Sequence, residues 1–231
     1  MTQFPRNPQV LRVVLLGIDG AGKTTVARTV IQKLHERGID AQLFRNPGGR
    51  RTLDRWASCW SKTAESMLGA RMLDRIETVL RVLAVLRSTL QSRRRRGVII
   101  FDRHLQCQLA LRQVRGLPCG VVLPWLLSML PKPDLVVYLS VDPRTAKARI
   151  TSRNTDRETL EFLSVLDASY RRLPDFGSYE VIEANGSAAE TAAAFLAKVE
   201  PLLQLLAPKG STSAGLPLQP LPVREGTEAG Q

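Results

Sequence analysis

The sequence predicts an α/β fold of three layers, a parallel sheet with helices on both faces, and three observations carry that prediction. Short β-branched or apolar runs alternate with longer helical patterns along the chain, the order that builds a parallel sheet covered on both sides. The first of these runs ends in a glycine-rich turn that opens directly into a helix. A hydrophobic content of 44% over 231 residues is enough for one sizeable core, which argues for one domain plus extensions.

The elements follow in order. Leu11 to Leu16 (LRVVLL) is a short β-branched run ending at glycine, and Val26 to Leu34 then carries apolar residues at helical spacing until Gly38. Ile39 to Phe44 alternates like a second strand, and Asn46-Pro47-Gly48-Gly49 punctuates it with turn chemistry. Thr52 to Gln91 lacks proline and places Met72, Ile76, Val79, Leu80 and Leu83 at spacings that predict one or two amphipathic helices. Val98 to Phe101 (VIIF) reads as a buried strand running into Asp102-Arg103. A helical stretch with Leu109, Leu111, Trp125 and Leu126 leads to a strand over Leu135 to Val141. The remainder reads as helix and basic loop (Ala146 to Arg157), helix (Thr159 to Leu173), strand (Tyr179 to Ala184) and helix (Ala188 to Leu206). Residues 1–9 form an N-terminal extension. From 207 to 231 the chain is rich in Pro, Gly and Ser without periodicity, so a disordered tail is expected there.

Composition narrows the function classes. Apolar runs are far shorter than the ~20 residues a spanning helix needs, and the first nine residues hold no apolar run of the secretory kind. No membrane partner and a cytoplasmic location are expected. Cys59, Cys107 and Cys119 show no C-x-x-C spacing and His35 and His104 lie far apart, so reduced structural thiols are expected rather than a zinc site. The net charge of +12 points to anionic partners. Lys209 and Arg224 cancel Glu225 and Glu228 in the tail, so the excess belongs to the folded part. Nucleotide phosphates account for some of it, and nucleic acid is a further candidate partner.

Gly17-Ile18-Asp19-Gly20-Ala21-Gly22-Lys23-Thr24 fits G-x-x-x-x-G-K-[ST] at every fixed position, between a predicted strand and a predicted helix. The backbone of such a loop curls so that successive N–H groups face phosphate oxygens, with a helix dipole aimed at the same charge. This makes the class a P-loop NTPase fold whose loop and first helical residues, Gly17 to Thr25, hold a nucleoside triphosphate. Lys23 should reach the β and γ phosphates, and Thr24 should ligate Mg2+. Asp102, at the end of its strand, is placed to complete the metal site; an N-cap for the following segment is its bland alternative.

Transfer between two anions needs cations to offset repulsion. Arg45, Arg75, Arg103, Arg149 and Arg153 stand at element ends or on polar helix faces, and Arg103 is singled out because it adjoins Asp102. The Arg93 to Arg96 run either complements a helix C-terminus or touches nucleic acid.

Taken in order, G-I-D-G-A-G-K-T-T, R-N-P-G-G, L-D-R, F-D-R-H, P-D-L-V-V-Y-L-S-V-D-P and A-K-A-R-I-T-S-R resemble the thymidylate kinase family over roughly Val10 to Leu173. The resemblance implies a five-stranded parallel sheet wrapped by helices, transfer of the γ phosphate of ATP to dTMP, and a homodimer. It implies that Asp19 sits near the acceptor, that Arg75 and Arg103 grip it, and that Arg149 and Arg153 close over ATP. With the plain Ala21 in the P-loop, it implies a catalytic arginine from the lid, Arg153 or Arg157. No side-chain base is needed, since the attacking group is a phosphate oxyanion.

Where the family usually reads D-R-Y-x-x-S-x-x-A-Y-Q, this chain has Cys107 for the serine, Leu111 for the tyrosine and Arg112 for the glutamine. These positions would line the acceptor site, and a site built to hydrogen-bond one base loses discrimination when those polar groups change. R-E-P-G-G-T has become Arg45 to Arg50, with Asn46 in place of the acid. Two other readings stay open: a kinase acting on a modified thymine-type base in DNA, and a non-catalytic nucleotide-binding regulator.

Overall fold

The computed structural model describes residues 10–46, 64–153 and 158–206, without the side chains of 64–71, 73 and 206. Five parallel strands form one sheet: β1 (Val10–Leu16), β2 (Ala41–Arg45), β3 (Gly97–Asp102), β4 (Leu135–Ser140) and β5 (Glu180–Glu183). Their order across the sheet is β2-β3-β1-β4-β5. The central strand β1 is buried along its whole length, as expected of a continuous Val/Leu run in a sheet covered on both faces. Its Arg12 is the polar exception, buried at the strand's start, where its N–H donates to Asp134 Oδ2 at 2.8 Å.

Helices α1 (Lys23–Glu36) and α7 (Ala188–Leu206) pack together on the sheet. The buried residues of α1, Val26, Ala27, Val30 and Leu34, recur at helical spacing. Helices α2 (Ala64–Ser92), α3 (Leu105–Val114) and α6 (Leu160–Arg171) make a second packed set, with α4 (Val122–Met129) beside α3 and α5 (Pro143–Arg153) beside α6. Val13, Val14, Leu15, Ile99, Ile100, Val137 and Leu139, each at most 1% exposed, form the centre of the core.

The expected helical pattern over Thr52 to Gln91 appears as one helix from Ala64, and 47–63 lie outside the described residues. Its apolar stripe points away from the fold: Met72, Val79, Leu80 and Leu83 are exposed, whereas Asp74, Glu77, Arg81 and Val85 face inward. A helical period fixes the width of an apolar face but not what covers it. The predicted helical stretch after Asp102 resolves into α3 and α4, broken at Gly116 and Gly120, both at φ 63. Residues 154–157 and the tail from 207 also lie outside the described residues.

Candidate active site

The register places Leu15 and Arg45 on either side of Asp102. The carboxyl ends of β1, β2 and β3 therefore open side by side, and β1 also borders β4, from which the chain leaves in the opposite direction; open α/β sheets bind ligands at the carboxyl ends beside such a switch point. Between β1 and α1 runs the loop Gly17 to Gly22. Gly17 (φ 142), Gly20 (φ 86) and Gly22 (φ 82) adopt conformations that L side chains avoid. At Gly20 space forbids a side chain too, because a Cβ would lie 2.4 Å from the carbonyl oxygen of Ala146 in α5.

Lys23 is 6% exposed, and its Nζ donates to the carbonyls of Gly17 at 2.8 Å and Ile18 at 2.7 Å. The ammonium thus lies folded over the loop's own carbonyls. Burial lowers its pKa, and the Asp19 carboxylate 3.6 Å away opposes that shift. Asp19 also accepts from Arg103, and this carboxylate is the main reason the Arg103 pKa is raised. Beside them the Thr24 hydroxyl donates to Asp102 Oδ2 at 2.7 Å. Among the described residues nothing hydrogen-bonds the buried Asp102 Oδ1. A hydroxyl and a carboxylate side by side, with one orphaned oxygen, form a donor set that suits a hard cation such as Mg2+. Asp102 does not act as the N-cap: the residue at that position of α3 is His104.

The site thus brings together Gly17, Ile18, Asp19, Gly20, Ala21, Gly22, Lys23, Thr24, Asp102 and Arg103. It treats the other expected residues differently. Thr25 is exposed on α1, and its carbonyl accepts from Thr29. Arg45 is exposed at the end of β2. Arg75, expected to grip the acceptor, is exposed on α2 because the inward face of that helix falls on residues 74, 77 and 81. Arg149 donates to the carbonyls of Ala184, Asn185 and Gly186, tying α5 to the loop after β5. Arg153 is exposed and donates to the Arg149 carbonyl, and Arg157 lies outside the described residues. Cys107 is buried in α3 and Leu111 packs against the core. Arg112 is paired with Asp74 at 3.2 Å and donates to the Cys119 carbonyl.

Sequence reading passed over Arg81 and Gln108. Arg81 is 2% exposed, donates from Nε to Gln108 Oε1 at 3.2 Å, and lies close enough to Arg103 for the two charges to oppose one another. Gln108 in turn donates to Asp74 at 2.9 Å, and Arg115 bridges Asp74 and Glu77 at 3.3 and 2.7 Å. The available signal was polar residues at 74, 77 and 81, a helical spacing opposite the apolar stripe.

Comparison with known proteins agrees with this geometry. The model of the family described as Thymidylate kinase matches residues 16–194. A probable thymidylate kinase of Pyrobaculum calidifontis is 30% identical over 193 residues, covering 81% of this chain and 95% of that protein. A probable thymidylate kinase of Archaeoglobus fulgidus is 28% identical over 158 residues, with 65% and 76% covered. The thymidylate kinase of Xylella fastidiosa strain M12 is 29% identical over 204 residues, with 86% and 90% covered.

Proposed function

Since the chain belongs to the thymidylate kinase family, we propose that it moves the γ-phosphate of ATP to a deoxynucleoside monophosphate, dTMP, giving ADP and dTDP. The observation that carries this reading is the meeting of Lys23, Thr24, Asp19, Asp102 and Arg103 at the ends of β1 and β3. The backbone N–H groups of the loop bind donor phosphates at the start of α1. Lys23, once its ammonium leaves the Gly17 and Ile18 carbonyls, supplies a cation to the transferring group. Thr24 and Asp102 would hold Mg2+, which when bound offsets phosphate charge.

On the acceptor side, Arg103 sits on Asp19, and Arg81 lies near enough for its like charge to be felt. An acceptor phosphate is a second anion for Arg103, so binding exchanges the Asp19 contact for one to substrate. Phosphoryl transfer of this type rests on positioning and charge stabilisation. The attacking oxygen is already ionised, so no side-chain base is required. In this reading Arg149 and Arg153 of α5 serve the donor site, and Arg153 or Arg157 supplies cationic charge to the transferring group. The catalytic unit spans 10–206.

The partner proposed beyond substrate is a second copy. Met72, Ile76, Val79, Leu83, Leu86 and Leu90 follow a 4-3-4-3-4 spacing on α2, the period of a helix–helix seam. Met72, Val79, Leu83 and Leu90 are 49%, 56%, 56% and 56% exposed. Trp125 and Met129 of α4 are exposed as well, and apolar side chains gathered along one helix face mark an interaction surface. A cytoplasmic location fits this reading; among the described residues no helix is long and apolar enough to cross a membrane.

A label-transfer assay tests the reaction. ATP labelled at the γ position, mixed with Mg2+ and dTMP, should yield labelled dTDP, and Arg103→Ala should raise the dTMP KM and lower kcat. Label appearing only as free phosphate, whatever the acceptor, would refute the transfer.

A further inference from the structure

Asn46 follows β2 and is 1% exposed. Its N–H donates to the Asp102 carbonyl at 3.0 Å, and its side-chain Nδ2 donates to the Arg103 carbonyl at 2.8 Å. Its own carbonyl lies 3.5 Å from an Arg81 guanidinium nitrogen. Asn46 Oδ1 is buried with no hydrogen bond, so the bond to Arg103 is the one the side chain makes among the described residues. Arg103 has a φ of 74 and is the one non-glycine residue with positive φ among the described residues. Such a backbone persists only where its surroundings over-determine it. On one side Arg103 N–H donates to the Leu15 carbonyl at 3.3 Å. On the other, Asn46 holds its carbonyl.

We propose that Asn46 is a positioning residue that keeps the Arg103 peptide in the left-handed region, and so keeps the guanidinium at Asp19 on the acceptor side of the loop. The role belongs to an amide. An ionised Asp or Glu at position 46 has no proton to donate and would set a negative charge against the Arg103 carbonyl. Because the anchored group is a backbone carbonyl, the effect reaches the reaction only through where Arg103 points. Its kinetic consequence rests on the phosphoryl-transfer reading above; its structural consequence does not.

Two variants test it. Asn46→Asp keeps the shape and removes the donor, and Asn46→Ala removes the side chain, so one can be read if the other folds poorly. Each should lower kcat/KM for dTMP by roughly tenfold, the scale of one lost hydrogen bond to an aligned group, while the KM for ATP stays within about twofold. Combined with Arg103→Ala, Asn46→Ala should cost nothing further, because its partner's side chain is already gone. Additive losses in the double variant, or equal losses for ATP and dTMP, would overturn the proposal. If wild-type protein turns over no monophosphate, the functional reading fails alone. Crystal structures of the two variants then decide: an Arg103 φ outside the positive region supports the anchoring role, and an unchanged φ refutes it.

Discussion

Lys23 is held by two carbonyls of the loop it serves, in a buried setting that lowers its pKa. Its ammonium therefore gains most when phosphate replaces those dipoles. Lys23→Ala should reduce kcat by roughly 10²- to 10³-fold, as removal of a preorganised donor does, and steady-state kinetics at saturating substrates would show it. A loss below threefold would remove Lys23 from its assigned role. His104 offers a second residue-scale check. Burial holds its pKa at about 4, below the ordinary 6.5, and its ring nitrogen meets Gln106 Oε1 at 2.8 Å. In the window between those values the unfolded chain binds a proton that the folded one rejects. The stability associated with neutral His104 is therefore full above about 6.5 and declines as pH falls toward 4. In metal-free buffer, urea unfolding should weaken by about 1 kcal/mol per pH unit between pH 6.5 and 5, and His104→Gln should flatten that slope. An unchanged slope in the variant would place the proton elsewhere.

At the scale of elements, the interface of α2 and α3 adds buried charge to the apolar cluster of Val85 and Leu105. Arg115, just past α3, carries Asp74 and Glu77, whose side chains are 2% and 1% exposed. Removing the cation leaves two buried carboxylates short of a partner, so Arg115→Met should destabilise the fold by about 3 kcal/mol, measured by chemical denaturation. A change under ~0.5 kcal/mol would mean that Arg112 alone suffices. This interface also shows why the site was only partly legible. The loop Gly17 to Thr24 is continuous in sequence, and Asp102-Arg103 follows a strand of plain composition, so both could be read directly. Arg81, Gln108 and Asn46 have no local motif; they meet because α2, α3 and the end of β2 converge. Arg75 is exposed and Arg81 faces inward: a resemblance fixes a neighbourhood, whereas the inward face of α2 depends on packing.

At the scale of the whole molecule, the positions of the strands and the alternation of elements were legible because buried parallel strands are continuous apolar runs, whereas the order β2-β3-β1-β4-β5 emerges only from the fold. The outward seam of α2 was not, since an amphipathic pattern looks the same whether its apolar side meets the core or another chain. If the seam joins two copies, Leu83→Glu should give a species of half the mass in sedimentation or light scattering, with the nucleotide site still folded. A wild-type protein that is monomeric at high concentration would dispose of the seam's proposed partner. The net charge of +12 and the run Arg93 to Arg96 keep a polymeric acceptor in view, and salt dependence separates it from a free nucleotide.

Transfer to a free pyrimidine deoxynucleotide is decided by kcat/KM with Mg-ATP across a panel of monophosphates, with thymine-containing DNA assayed alongside. dTMP should be the preferred acceptor, with dTDP formed in step with ADP and no labelling of DNA. Absence of turnover with every pyrimidine deoxynucleotide, or phosphate appearing on DNA alone, would contradict it.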